Sequence, residues 1–505
     1  MHPINTSTLR PALLAAALTA VFAAQAPAQA QISDSIRGAP SEANHFIETP
    51  RGWQHPKTAW GEPDIQAKLN MMQAAGVPLE RCANSYRAYA PPGSGPPGGG
   101  PGAAQAAPAV LPPPCDMNKK WLTEEEYAQR MEALRTRVDA SRQFAEQGNL
   151  GRAMQTGLTD PNIPQRQTNL IVAPATGLLP PLTPEGKRRA MLAKSDWALP
   201  GETIAFEGPD SFDSWDRCIT RGMPSSMMPY RYNGGFSIRQ APGYVIFDLE
   251  MIHESRVIPT DNRPALASAV KQFMGESRGH WEGNTLVVVT TNYKEGPPLI
   301  NLAVVGSPPG NRFPHSDQMK TTERIVRVND GTWLYEITTE DPVVLTGPFT
   351  VRYPMNHDEN YWWPEYACHE DNTIVRNYTL TSRHERANPT PEPPQAPVTV
   401  AAGLADTLAG RWVGRPRIAT IDVDIELEFT KNADGTVNGK LIGTNLGPID
   451  KPLRGFTIVD RTMYFTLPNV DPWRFSGDIR EGGTIDGVVA SAQGGVPVTF
   501  RRAAR

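Results

Sequence analysis

The nine residues 421–429, IDVDIELEF, alternate without a break between apolar and acidic side chains. Successive side chains of a strand point to opposite faces, so this order fits a sheet with one face buried and one wet, and no helix. Ile421, Val423, Ile425, Leu427 and Phe429 are expected to face inward, with Asp422, Asp424, Glu426 and Glu428 in water. The next segment, NADGTVNGKL, carries Asp434-Gly435, a turn pair that predicts a hairpin. Further short strands at TMYFTLP, WRFSGDI, TIDGVVA and VPVTFRR complete the pattern of a small closed meander β-barrel of about eight strands over 404–505.

Upstream, residues 211–385 have the same texture. GYVIFDLEMIHESRVIP, NTLVVVTTNY, MKTTERIVRV and TWLYEITTE are rich in β-branched and aromatic residues and are separated by Gly, Asn, Asp and Pro turns. NTLVVVTTNY is apolar on both faces and is expected at the centre of its sheet. A helix is expected within RPALASAVKQFMG, from Pro264 in its first turn to Gly275 at its end. The predicted fold is therefore mainly β: a central antiparallel β sandwich or barrel, an irregular or helical N-terminal layer over 31–210, and the C-terminal barrel. A proline-rich linker, 386–403, separates the two β regions. Within the N-terminal layer, LTEEEYAQRMEALRTRVDASRQFAEQG predicts a helix capped by Thr123 and stopped at Gly148. Residues 91–114, almost wholly Pro, Gly and Ala, predict a disordered loop.

The first thirty residues read as a signal peptide: Arg10, an apolar run from Ala12 to Ala24, and Ala28-Gln29-Ala30 spaced for a signal peptidase, with cleavage after Ala30. That run is too short to span a bilayer, and no later segment comes close. The mature protein is thus expected to be periplasmic or secreted, with no transmembrane segment after signal cleavage. Net charge is -4 and no basic run occurs, which argues against nucleic acid as a partner. In an oxidising compartment four cysteines allow three pairings. Cys82 with Cys115 and Cys218 with Cys368 are favoured, since each pair then lies within one compositional block; unpaired buried thiols are the alternative.

Six histidines fall between 253 and 384, and His253, His369 and His384 are each followed by glutamate. Histidine titrates near working pH and a carboxylate can orient or charge it, so such pairs recur in acid–base and metal sites. In a regular strand Glu254 and Arg256 share one face while His253 points to the other. Either Glu254 and Arg256 line a polar cavity with His253 behind, or His253 faces the cavity and the pair is a solvated edge. Glu323 in TERIVRV, and His369 with Glu370 in YACHEDN, join these as candidate acid–base residues. Bonding of Cys218 to Cys368 would draw Asp216, Arg217 and Arg221 toward His369 and Glu370. Tyr361, Trp362 and Trp363 are either a ligand platform or a roof over the core. No ligand spacing is diagnostic of a metal, nothing identifies a cofactor, and zinc-helix, P-loop, nucleophile-elbow and dinucleotide-binding motifs are missing.

TAWGEPDIQ, PPLTPEGKRR, DRCITRG, PGYVIFDLEMIHESRVIPTDNRP, RGHWEGNTLVVVTTNY, TERIVRV and YACHEDN together resemble a large group of uncharacterised exported proteins of Gram-negative bacteria, over roughly residues 50–385. That resemblance implies export and a β-rich central domain, and carries no activity. The opening of the last domain, AGRWVG, resembles the start of lipocalin-like barrels, and the pattern along the whole tail resembles small barrels appended to some bacterial hydrolases. Two functions are therefore expected to compete. One is an enzyme of hydrolase or lyase type acting on a small molecule by general acid–base catalysis, through His253, Glu254, Arg256, Glu323, His369 and Glu370. The other is a non-catalytic periplasmic binding protein for an apolar or aromatic ligand. An envelope interaction protein is a third reading. Oligomeric state is not legible.

Overall fold

The computed structural model describes residues 42, 45–74, 76–82, 115–149, 165–192, 205–230, 233–295, 313–359, 361, 363, 365–389, 395–418, 421–468, 473–491 and 494–503. The expected signal peptide and the 91–114 loop lie outside them. Two large antiparallel sheets dominate, both within the unit Ile32–Arg505.

The first sheet contains β1 (Ala67–Asn70), β2 (Ile171–Ala173), β3 (Gly235–Ala241), β4 (Tyr244–Leu249), β5 (Glu254–Pro259), β6 (Glu276–Glu282), β7 (Thr285–Thr291), β8 (Lys320–Arg327), β9 (Thr332–Glu340) and β10 (Phe349–His357). Their order is β5-β4-β3-β1-β10-β9-β8-β7-β6, with β2 paired to β10. The strand β1, AKLN, thus comes from the N-terminal region and fills the centre of the sheet. The two ends of this order meet. A Cβ on Gly279 of β6 would lie 3.0 Å from Thr260 Cγ2 and 3.1 Å from Ile258 Cγ2, so glycine lets β5 and β6 close up and the sheet wraps into a nearly closed barrel. Alternate residues fill its interior, among them Leu69, Phe236, Phe247, Ile258, Val288, Ile325, Trp333, Ile337 and Val351.

The helix expected over 263–275 is absent; the segment is an irregular loop. Its backbone is tied elsewhere: Leu266 N donates to both oxygens of the buried Glu276 carboxylate, at 2.8 and 3.0 Å, and Gln272 N donates to Asn292 O at 3.0 Å. Leu266 and Val270 remain exposed, so a helix here would gain no buried face to offset its cost. The helix α1 (Glu124–Glu146) forms as expected, with Thr123 and Glu126 each accepting the other's backbone N–H. Among the described residues the other α-helices are α2 (Pro184–Leu192), α3 (Ile374–Ala387) and the short α4 (Leu404–Leu408). No helix of the described residues is long and apolar enough to cross a membrane.

The second sheet holds β11 (Gly410–Gly414), β14 (Ile425–Lys431), β15 (Val437–Thr444), β16 (Gly447–Pro452), β17 (Arg454–Val459), β18 (Thr462–Thr466), β19 (Arg474–Ile479), β20 (Thr484–Ser491) and β21 (Gly494–Arg502); β12 (Arg417–Ile418) and β13 (Ile421–Asp422) pair separately. It runs β16-β15-β14-β11-β21-β20-β19-β18-β17. Only the buried Leu453 separates β16 from β17, so one bent strand begins and ends the path and closes an eight-strand meander. Val423, Ile425, Leu427 and Phe429 are buried, as their alternation requires. Aromatic side chains occupy the inside: Phe465 stacks on Phe475 with centroids 4.7 Å apart, and Phe475 meets Phe500 edge-on at 5.3 Å. A Cβ at Gly477 would come within 2.5 Å of Phe475 Cζ, and one at Gly414 within 2.8 Å of Phe500. This interior is a packed core.

Candidate functional site

The interior of the first barrel is largely apolar, and its charged side chains lie close together. Inward positions of β8 alternate as Thr321, Glu323 and Ile325, and β5 contributes Arg256 opposite them. Arg256 donates from Nη1 to Glu323 Oε1 at 2.9 Å and from Nη2 to Oε2 at 2.5 Å, and the two side chains are only 3% and 1% exposed. Nη2 also donates to Ser277 Oγ at 3.0 Å and Thr290 Oγ1 at 3.3 Å, which joins β5 to β6 and β7 through side chains. Tyr335 on β9 donates to Glu323 Oε1 at 2.8 Å, and Tyr293 OH lies 2.7 Å from Thr321 Oγ1. Burial alone would discharge Arg256, but the adjacent Glu323 carboxylate outweighs it and raises the guanidinium above its ordinary value. Burial likewise raises the phenols of Tyr293, Tyr335 and Tyr353, so all three remain neutral donors.

Glu254 lies two positions before Arg256 and points inward with it. The preceding turn, Met251–His253, puts Ile252 at φ 64° and His253 at φ 56°, and His253 N closes it on Glu250 O at 3.0 Å. Two successive left-handed residues swing the chain round so that β5 starts at Glu254. A plug formed by the segment 211–230 covers this end of the barrel. From it Thr220 Oγ1 donates to Glu254 Oε2 at 2.9 Å and Ser226 Oγ to the same oxygen at 3.4 Å. Oε1 has no hydrogen-bond partner among the described residues. Burial pushes the Glu254 carboxyl up to about 6, against the opposing pull of the two hydroxyls and of the Arg256 and Arg221 charges. Arg221 is buried between the rings of Trp215 and Tyr230, 5.2 and 4.8 Å from their centroids. The plug is held from outside. Cys218 is bonded to Cys368 with Cα atoms 5.6 Å apart, and Asn372 Nδ2 donates to Asp216 O at 2.8 Å. Cys82 is bonded to Cys115.

Glu254, Arg256 and Glu323 are therefore brought together inside the barrel, although Arg256 pairs with Glu323 rather than with Glu254. The others are elsewhere. His253 is exposed in its left-handed turn, and His369 and Glu370 are exposed in the turn after Cys368. The disulfide thus fastens the plug without gathering those two into a sheltered corner. Tyr361 and Trp363 lie over Gly235, where a Cβ would meet them at 2.7 and 3.1 Å, and Tyr361 donates its hydroxyl to Glu250. Glu250 is buried and also accepts from Asn233 Nδ2 at 2.7 Å and Gly235 N at 2.9 Å, so the two rings cover the outer side of a strand end. Trp362 lies outside the described residues. No group of three His, Cys, Asp or Glu side chains able to hold a metal occurs among the described residues. Thr220, Ser226, Ser277, Thr290 and Tyr335 escaped sequence reasoning. Thr290 carried a faint signal, as a hydroxyl at an inward position of the largely apolar strand β7.

No protein-family model matches the chain, and no curated protein matches it. Among solved structures, a protein of unknown function from the DUF3598 family of Nostoc punctiforme is matched at 10% identity, over 63% of this chain and 97% of that one, with a TM-score of 0.12. A likeness that slight carries no argument about fold or function.

Proposed function

We propose that the protein is an exported enzyme of hydrolase or lyase type that acts on a small molecule by general acid–base catalysis, with Glu254 as the group that moves the proton. The observation that carries this reading is the Glu254 carboxyl itself: one oxygen accepts from two hydroxyls, the other has no hydrogen-bond partner among the described residues, and burial lifts the pKa to about 6. A carboxyl poised there is ionised at neutral pH yet a far better proton acceptor than an exposed glutamate, and it returns the proton readily. In this mechanism Glu254 takes a proton from water or from a carbon acid and delivers it to the leaving group. Arg256, locked to Glu323, keeps positive charge beside the carboxyl and fixes the strand that carries it. The leader-like N-terminus and the two disulfides support export to the periplasm or beyond.

The test is a turnover screen of purified 31–505 against small neutral esters, lactones and β-elimination substrates. The expected result is activity that rises with pH through about 6 and falls on the order of a hundredfold in Glu254→Gln. Turnover unaffected by that change removes Glu254 from the chemistry; binding of screen compounds without turnover by any of them favours the binding-protein alternative.

A further inference from the structure

The two hydroxyls that hold Glu254 have a second acceptor. Thr220 Oγ1, 2.9 Å from Glu254 Oε2, is also 3.2 Å from the sulfur of Met274, and Ser226 Oγ, 3.4 Å from the same carboxyl oxygen, is 3.9 Å from that sulfur. Thr220 is fixed between them by Gly222 N, which donates to its oxygen at 2.9 Å. A hydroxyl has a single hydrogen to give, so carboxyl and sulfur compete for each. A thioether is a weak acceptor and a carboxylate a strong one, which settles both hydrogens on Glu254. That outcome lasts only while the sulfur remains a thioether. Met274 stands at the foot of the exposed loop that leads into β6, and of the methionine side chains described only Met117, Met131 and Met274 escape burial.

We propose that Met274 is an oxidation site that controls Glu254: a peroxide converts its thioether to the sulfoxide, and the sulfoxide oxygen draws the Thr220 and Ser226 hydrogens off the carboxyl. A lone pair of the sulfur attacks one peroxide oxygen. The S–O bond forms as the O–O bond breaks, and the departing hydroxide takes the proton of the transferred oxygen and leaves as water. Sulfur loses two electrons and the peroxide gains them, and the product is polar where the thioether was apolar. Both hydroxyls favour the ionised form of Glu254, as do the charges of Arg256 on its own strand and Arg221 on the plug, with Glu323 beyond Arg256. Losing the hydroxyls therefore keeps the carboxyl protonated to a higher pH. The inference rests on reading Glu254 as the proton-moving group, and it adds that oxidation holds this group in its inactive, neutral form at mildly acidic pH.

The test treats the 31–505 chain with hydrogen peroxide, locates oxidised methionines by peptide mass, and follows the Glu254 carboxyl by infrared difference against Glu254→Gln. Met274 is expected to gain an oxygen along with Met117 and Met131, and the Glu254 titration to move upward by about one pH unit. Met274→Leu, close in volume to the native side chain, should titrate as the untreated chain does and stay unmoved by peroxide. Partial oxidation supplies the same control without a variant: the shift should track the oxidised fraction of Met274 and not that of Met117 or Met131. Met274 left as a thioether when Met117 and Met131 are fully converted overturns the proposal. So does full oxidation of Met274 with an unmoved Glu254 titration, or a shift that persists in Met274→Leu. Turnover that depends on Glu254 but ignores Met274 oxidation would remove this inference and leave the enzyme reading standing, whereas a titration that answers to Met274 oxidation in a chain that turns nothing over would do the reverse.

Discussion

Glu254 shows how one residue's surroundings set its behaviour. Its carboxyl is raised in the folded chain, so between the unfolded value of about 4.5 and the folded value of about 6 the native state holds the extra proton. Stability contributed by the neutral acid is therefore fully present below 4.5 and is lost as pH rises through 6, by about 2 kcal/mol in total. Denaturant unfolding across that range should show the decline, and Glu254→Gln should flatten it. The neighbouring turn gives a second prediction. His253 is exposed at φ 56°, a region costly for a residue with a Cβ, so His253→Gly should stabilise by about 0.5–1 kcal/mol, read from chemical denaturation, and leave turnover unchanged. Strand alternation alone placed Glu254 and Arg256 on one face. It could not show that Arg256 meets Glu323, 67 positions away, because barrel closure creates that contact. Nor could it show that β5 begins only after two left-handed residues, which removed His253 from the interior.

At the scale of elements, the plug is the least self-sufficient part of the site. It is short, irregular and rich in Met and Ser, and its hold on Glu254 depends on the bond across 150 positions between Cys218 and Cys368. Cys218→Ala combined with Cys368→Ala should lower stability by about 2–4 kcal/mol. It should also let water reach Glu254, so that its titration, followed by the infrared carboxyl band, moves down from about 6 toward the ordinary value. The strands of the second barrel make the opposite case. Gly477 exists to admit Phe475, with only 2.5 Å to spare for a Cβ, so Gly477→Ala should cost about 1–3 kcal/mol, seen as a lower melting temperature. Elements with a strong period were legible: the Asp434-Gly435 hairpin and the Thr123-capped helix stand where the pattern puts them, and IDVDIELEF keeps its alternation from Val423 to Phe429, although it is broken after Asp422, so that Ile421–Asp422 pairs with β12 and the barrel strand begins at Ile425. The tetrapeptide β1 was not, since four residues carry too little period to be told from a loop, and 263–275 was misread because Leu266 N is bound by Glu276 and Gln272 N by Asn292 O, which leaves only isolated turns within the segment.

Across the whole molecule the two barrels differ in how they are filled and how they are shut. The second has an aromatic core, a closed strand path and its own end cap, with Trp412 Nε1 donating to Leu408 O at 2.7 Å. A fragment of residues 395–505 should therefore melt cooperatively by circular dichroism when expressed alone. The first draws strands from the N-terminal region and buries its charges inside, so it depends on distant parts of the chain being present. Its two terminal strands, β5 and β6, touch through glycine and side chains, and Arg256 spans them with its bond to Ser277. Such a wall has a natural parting line: it can yield along one seam without rupturing the backbone ladders on either side, and the guanidinium that tethers the charged interior is also the clasp that keeps that seam drawn shut.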